Sequence, residues 1–187
     1  MIMLRQVGII LFLVLFCATT FSVAQAQEQL YPIEDFVGTW QYVNSDTVFT
    51  VKLVKGTEVH SPFQKGDVLY GGYTLEVNGE VIDDYSNVNS VRDIRVSPPQ
   101  QGIYITASTY RSPTVSFGVT FYDQRKKHFD GKGIGGCRIE MLSPSKLKWK
   151  LDESLGISLA IEGCEDCPEV KPIGFSVPTN VILTKVE

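Results

Sequence analysis

Residues 69–80 read Leu-Tyr-Gly-Gly-Tyr-Thr-Leu-Glu-Val-Asn-Gly-Glu, and this stretch decides the fold class. Its apolar and small residues occupy every second position from Leu69 to Val77, which is the period of a β-strand with one buried face. Asn78-Gly79 follows at once. Asn-Gly is the strongest short hairpin signal, because a type I′ turn needs positive φ at both central residues. The stretch therefore predicts two antiparallel strands joined by a tight turn.

The same alternation recurs along most of the chain. Phe49, Val51 and Leu53 share one strand face, and Leu147 and Trp149 share another. No segment shows a sustained period of 3.6 residues, so we expect little helix. Many short strands joined by tight turns predict an all-β, antiparallel up-and-down barrel of about 8–10 strands. The predicted strands are 39–45, 47–54, 68–77, 80–85, 102–110, 115–123, 136–142, 146–152, 157–162 and 180–186.

The N-terminus has the features of a secretory signal peptide. Arg5 precedes an apolar run over residues 7–18, and an A-x-A cleavage site ends at Ala26. We therefore predict that residues 1–26 are removed and that residues 27–187 form one domain, secreted or periplasmic. The apolar run is shorter than a membrane-spanning helix, so we expect no stable membrane span in the mature chain.

The net charge bears on whether the protein binds nucleic acid, and the residue before Cys17 bears on whether a lipid anchors it. The net charge is −4 at pH 7, and the Lys and Arg residues do not form the clusters that bind phosphate backbones. We therefore expect no nucleic-acid partner. Cys17 raises lipoprotein anchoring as an alternative. The bulky Phe16 stands where a lipidation signal has a small residue, which makes this anchor the less favoured reading.

Three cysteines remain after cleavage at Ala26. If residues 136–162 form a meander of three strands, Cys137 and Cys164 lie at opposite ends of it, about 20 Å apart. A disulfide needs Cα atoms within about 7 Å. We therefore predict that Cys164 pairs with Cys167 in a loop. Cys137 lies on the apolar face of its strand and is predicted to stay a buried thiol.

The two ends of the mature chain resemble a known group of barrels. Residues 36–40 read Phe-Val-Gly-Thr-Trp, and residues 181–186 read Val-Ile-Leu-Thr-Lys-Val. This Gly-x-Trp motif and closing strand resemble those of the calycins, the lipocalins and fatty-acid-binding proteins, and the pattern is similar to small uncharacterised secreted bacterial barrels. In calycins the Trp plugs one barrel end beneath a basic side chain. The resemblance implies these structural roles for Gly38, Trp40 and Lys185.

No sequence pattern predicts catalysis, a cofactor or a metal site. Residues 131–136 fit G-x-G-x-x-G, but a dinucleotide site needs a helix after the motif, and here a strand is predicted. A flexible Gly-rich loop is the better interpretation. His60 and His128 lie beside loop signals and are expected to be solvated, and Asp83 is expected at a solvated hairpin end. We therefore expect a protein that is not an enzyme.

Two functions remain open from the sequence, and neither indicates an oligomeric state. A barrel of about eight strands is just wide enough to be packed solid or to hold one ligand. The first hypothesis is a small apolar or amphipathic ligand inside the barrel. The alternative is a cell-surface interaction, adhesion or inhibitor module, in which a packed barrel binds partners through its loops. The side chains predicted to line a ligand site are Tyr42, Tyr73, Phe117, Phe121 and Trp149.

Overall fold

The structure is a computed structural model that describes residues 29–61, 66–162 and 170–186. Within these ranges the chain forms eleven strands, three short α-helices and one 3₁₀ turn. The strands are β1 Gly38–Asn44, β2 Thr47–Lys55, β3 Thr57–Val59, β4 Asp67–Val77, β5 Glu80–Asp84, β6 Val91–Asp93, β7 Ile105–Thr109, β8 Ser116–Phe121, β9 Ile134–Ser143, β10 Lys146–Lys150 and β11 Asn180–Lys185. The helices are α1 Ile33–Phe36, α2 His128–Gly131 and α3 Glu153–Ile161, and the 3₁₀ turn is Pro98–Gln101.

Eight of the strands close into an antiparallel barrel. Each barrel strand pairs with the next one along the chain, in the order β1, β2, β4, β7, β8, β9, β10, β11. β11 then pairs with β1, with Lys185 opposite Trp40, and this pairing closes the barrel. β5 extends the sheet beyond β4, and β3 and β6 form a separate parallel pair. The predicted all-β up-and-down barrel with little helix is confirmed.

The hairpin predicted from residues 69–80 is also confirmed. Asn78 and Gly79 connect β4 to β5 and have φ of 54° and 79°, both positive as a type I′ turn requires. Leu69, Tyr73 and Leu75 on the inner face of β4 are buried. The alternation and the turn residues therefore specify the same register for this hairpin. A shift of one residue in that register would turn the apolar row toward solvent.

The barrel has two structurally different ends. At the α1 end, α1 packs across the opening, and the Phe36 ring lies 4.8 Å from the Phe117 ring between centroids. The opposite end is where β4, β8 and β10 finish. We call it the α3 end and define it by residues 122–133, residues 151–157 and residues 170–179.

One predicted strand is wrong, because residues 153–161 form α3 where a strand was predicted over 157–162. The helix begins at Glu153, directly after its N-cap Asp152, whose side chain accepts a hydrogen bond from the Leu155 amide at 3.2 Å. The segment is apolar on almost every side. A short run of this kind cannot be assigned to helix or strand from its period alone.

The packing of α3 depends on glycines. A Cβ atom at Gly156 would lie 2.2 Å from the Gly135 carbonyl oxygen, and one at Gly136 would lie 2.7 Å from the Gly156 nitrogen. Only glycines allow the helix and the start of β9 to approach this closely. Gly135 and Gly136 of the G-x-G-x-x-G pattern thus lie in a strand, so a flexible loop is the wrong interpretation for that half of the motif.

The helix also removes the argument about the cysteines. Because α3 packs against the start of β9, residues 136–162 are not a three-stranded meander, and the predicted separation of Cys137 from Cys164 no longer follows. Cys137 is a buried thiol, and burial raises its pKa to about 11. Cys164 and Cys167, with their predicted disulfide, lie outside the described residues.

Candidate functional site

Trp40 and Lys185 meet at the α1 end of the barrel. Trp40 has no exposed surface, and its Nε1–H donates a hydrogen bond to the Phe36 carbonyl at 2.9 Å. The Lys185 Nζ lies 5.1 Å from the centroid of the Trp40 ring and donates to the Asp35 carbonyl at 3.0 Å. Gly38 has φ of 136°, a conformation that side chains disfavour, where α1 leads into β1.

The aromatic side chains predicted to line a ligand site contact one another inside the barrel. The Phe121 ring lies 5.2 Å from Tyr73 and 5.7 Å from Trp149, measured between ring centroids. Phe117 packs separately, against Phe36 of α1. These four barrel residues have no exposed surface, and Tyr42 is half-buried. In this conformation their rings contact protein on every side.

Asp123 organises the loops at the α3 end. It is buried, and its Oδ1 accepts hydrogen bonds from the amides of Arg125 and Lys126 at 3.0 and 2.9 Å. Ser176 donates from its hydroxyl to Oδ1 and from its amide to Oδ2, each at 2.7 Å. One carboxylate therefore joins the loop after β8 to the segment before β11. Its local turn, with Asp bonding residues two and three ahead, is a sequence signal that was missed.

Glu153 forms a second connection beside the first. Its Oε1 and Oε2 accept the amide hydrogens of Ile173 and Gly174 at 2.6 and 2.7 Å, which fixes the start of α3 to the segment before β11. His128 Nε2 lies 3.2 Å from Glu153 Oε1. The His128 ring packs against the Phe175 ring at a tilt of 39°, with 4.9 Å between centroids. His128 is thus held between a carboxylate and an aromatic ring.

The predicted solvation of His128 and Asp83 is wrong. Both are buried, with 4% and 6% of their surface exposed. His128 lies in a turn where Lys127 and Phe129 have positive φ, and this unusual backbone folds the ring inward. Asp83 follows the outward-facing Ile82 on β5 and so points inward beside Leu75 of β4. Local sequence cannot reveal this burial, because it depends on residues 170–179 and on β4.

Asp83 is an unsatisfied carboxyl group. Its Oδ2 has no hydrogen-bond partner in the described chain, and the nearest cation is Arg125, whose Nη1 lies 4.0 Å away. Burial raises the pKa of Asp83, and the neighbouring Asp123 carboxylate raises it further, while Arg125 lowers it. The group therefore binds a proton more readily in the folded chain than in the unfolded chain.

Asp83→Asn is expected to raise the free energy of unfolding at pH 7. The pKa of Asp83 is higher in the folded state than the ordinary value of 3.8, so wild-type stability falls as pH rises above that value through the folded pKa. The advantage of the variant should therefore shrink as pH falls through the folded pKa toward 3.8, and it should be smallest below that value. Urea melts between pH 3 and pH 8 measure this dependence.

Asp84→Asn is the matched control, because hydrogen bonds from Ser86 lower the pKa of the exposed Asp84. This variant should gain no stability at pH 7. If Asp83→Asn also gains none, or gains more in acid than at neutral pH, the account of Asp83 is wrong.

A cleft opens beside the His128–Glu153 pair, and we call it the His128 cleft. Its volume is about 230 Å³. The lining combines apolar side chains with charged groups and draws on α2, α3 and the segment before β11. The lining residues are Lys127, His128, Phe129, Asp130, Glu153, Ile157, Val170, Lys171 and Ile173.

The described ranges contain neither a cluster of metal ligands nor a helix that could span a membrane. No group of three or more His, Cys, Asp or Glu side chains there is arranged to hold a metal ion. None of the helices described has both the length and the apolar character needed to cross a bilayer.

Together, these features define the protein as a small antiparallel β-barrel with an aromatic interior and a polar, loop-built α3 end. The chain belongs to the DUF6705 family, a family of unknown function whose model matches residues 3–186. Searches of curated proteins and of solved structures gave no match. The chain is therefore a β-barrel that belongs to a family of unknown function.

Proposed function

We propose that this chain is a non-enzymatic binding protein that uses a packed barrel as a scaffold and binds through its α3 end. The observation that carries the proposal is the complete burial of the aromatic rings inside the barrel. A cavity that admits a ligand leaves its lining side chains in contact with empty or water-filled space. Tyr73, Phe121 and Trp149 instead contact one another.

The described part of the α3 end has the features that a binding site needs. It contains a cleft, several exposed cations, and loops fixed in place by buried carboxylates. Binding residues are commonly found on loops that a rigid scaffold positions. A ligand inside the barrel, the first hypothesis from the sequence, requires the aromatic rings to separate, and so it receives less support than the loop-based alternative.

We further infer a calycin-type barrel that acts outside the cytoplasm. Gly38 at the first strand, and Lys185 above Trp40, support the calycin relationship. The basic, apolar and small-residue pattern of residues 1–26 supports export. Sequencing of the N-terminus of the protein from its native host should begin near Gln27. An intact Met1 on the native protein would contradict export by a cleaved signal.

A neutral apolar quencher that acts only on contact distinguishes binding in the barrel from binding at its end, because it carries no carboxylate. 1-Bromooctane is titrated into a Trp40→Phe variant, in which Trp149 is the remaining tryptophan. Because the rings around Trp149 are closely packed, we expect no saturable quenching of its emission at micromolar probe. Saturable one-to-one quenching would place a ligand in the interior and contradict the proposal. Wild-type protein, denatured in urea, controls for non-specific quenching.

A further inference from the structure

The His128 cleft has the size and walls of a small-molecule site. Its volume is about 230 Å³, and Phe129, Ile157 and Ile173 supply apolar surface. An engineered apolar cavity of about 150 Å³ holds benzene. The cleft therefore has room for a compact molecule somewhat larger than benzene, with its apolar part against these side chains.

His128 supplies polar atoms that lack partners. Its side chain is 3% exposed, and neither ring nitrogen has a hydrogen-bond partner within the described ranges. Nε2 lies 3.2 Å from Glu153 Oε1, but outside the geometry of a hydrogen bond. Buried polar groups are rarely left in this state. A ligand that offers an acceptor would satisfy one of the two nitrogens.

Two exposed lysines in the lining of the cleft can pair with an anionic acceptor. Both oxygens of Glu153 already accept backbone amide hydrogens, so this carboxylate is committed to holding the segment before β11. Lys127 and Lys171 are exposed in the lining, and Asp130 is the one other acid among its described residues. An imidazole that carries a proton on Nδ1 can donate a hydrogen bond from that nitrogen to an acceptor on the ligand.

We propose that the His128 cleft binds a small monocarboxylate with a short apolar body. The carboxylate accepts a hydrogen bond from His128 Nδ1 and lies near the ammonium groups of Lys127 and Lys171. The apolar body packs against Ile157 and Ile173. This inference rests on the proposed function, since it assigns a ligand class to the same α3 end.

Free acids and peptide C-termini share this chemistry, so the experiment uses both. Hexanoate, N-acetyl-glycyl-phenylalanine and neutral hexan-1-ol are each titrated into ¹⁵N-labelled protein, and the amide shifts of Ile173 and Gly174 are followed. We expect saturable shifts with at least one carboxylate, a Kd below about 1 mM, and binding of hexan-1-ol about tenfold weaker or more. The carboxylate that binds more tightly shows whether the cleft prefers a free acid or a peptide C-terminus.

Variants connect the shifts to the proposed contacts. His128→Phe keeps a ring against Phe175 and should weaken binding about tenfold, and Lys171→Gln should weaken it about threefold. Lys148→Gln, on the outer face of β10, is the matched control and should bind like wild type. If His128→Phe does not fold, the Lys171→Gln result and the comparison with hexan-1-ol still decide.

Three results would overturn the inference: no saturable shift with either carboxylate, equal affinity for hexan-1-ol, or wild-type affinity in both cleft variants. If neither the amides of the cleft nor those of the interior shift, only the assignment of a carboxylate ligand is wrong, and the proposed function stands. Saturable shifts at the amides of Tyr73 and Phe121 would show binding inside the barrel, and they would remove the proposed function as well.

Discussion

Trp40→Ala is expected to lower the free energy of unfolding by about 3–5 kcal/mol. Trp40 is completely buried, so its removal leaves a large cavity at the α1 end. The Phe36 carbonyl also loses the hydrogen bond from Nε1, and Lys185 loses the ring face above which it lies. Urea denaturation followed by far-ultraviolet circular dichroism measures the loss.

Two controls separate the contributions at this position. Trp40→Phe keeps most of the apolar volume but removes the Nε1 donor, and should cost about 1–3 kcal/mol because the buried Phe36 carbonyl is left unpaired. Val43→Ala changes an exposed residue of the same strand and should stay within about 0.5 kcal/mol of wild type. A loss below about 1 kcal/mol for Trp40→Ala would show that the α1 end does not depend on this side chain.

Phe121→Ala is expected to cost a similar amount, about 3–5 kcal/mol, at the opposite side of the core. Phe121 has no exposed surface and packs against Tyr73, Trp149 and Phe175. Its truncation therefore opens a cavity where the interior meets the α3 end. The variant should gain binding of benzene, as engineered apolar cavities do.

Phe121→Leu is the matched control, because it keeps much of the volume and should cost less than about 1.5 kcal/mol. Benzene binding is measured by its effect on the melting temperature, with wild type and both variants compared side by side. If wild-type protein is stabilised by benzene as strongly as Phe121→Ala, the interior already contains a cavity. That result would contradict the packed scaffold.

The barrel could be predicted from sequence because the alternation of apolar and polar residues in each strand shows which face is buried. Alternating rows such as Phe49, Val51 and Leu53 have one buried face, and sequential hairpins leave few ways to arrange the strands. The Asn78-Gly79 turn also fixed which residues of β4 and β5 pair with each other. Fold class, strand order and most strand positions therefore follow from local patterns that agree with one another.

Helix α3 could not be predicted in this way, because its apolar residues surround the helix and show no single period. Its cap, Asp152, is one residue in a polar stretch, and its contact with β9 depends on Gly136 and Gly156 meeting in space. Close approach of two backbones has no periodic signature. The predicted separation of Cys137 from Cys164 assumed a strand over residues 157–162, so it lost its basis when that strand proved to be part of a helix.

The α3 end was missed for a related reason. His128 and Glu153 are distant in sequence, and neither belongs to a recognisable motif. The interior aromatic residues, in contrast, were easy to select by parity, but parity does not distinguish a packed barrel from one with a ligand. Side-chain contacts such as that between Tyr73 and Phe121 carry that distinction, and they exist only in the folded chain.

The most direct test of the packed scaffold is a crystal structure of the wild-type protein pressurised with xenon, which occupies apolar cavities. The account predicts no xenon inside the barrel among Tyr73, Phe121 and Trp149, while crystals of Phe121→Ala under the same pressure contain a xenon site at the position of the missing ring. A xenon atom among these rings in the wild-type barrel would contradict the account and return the ligand site to the interior.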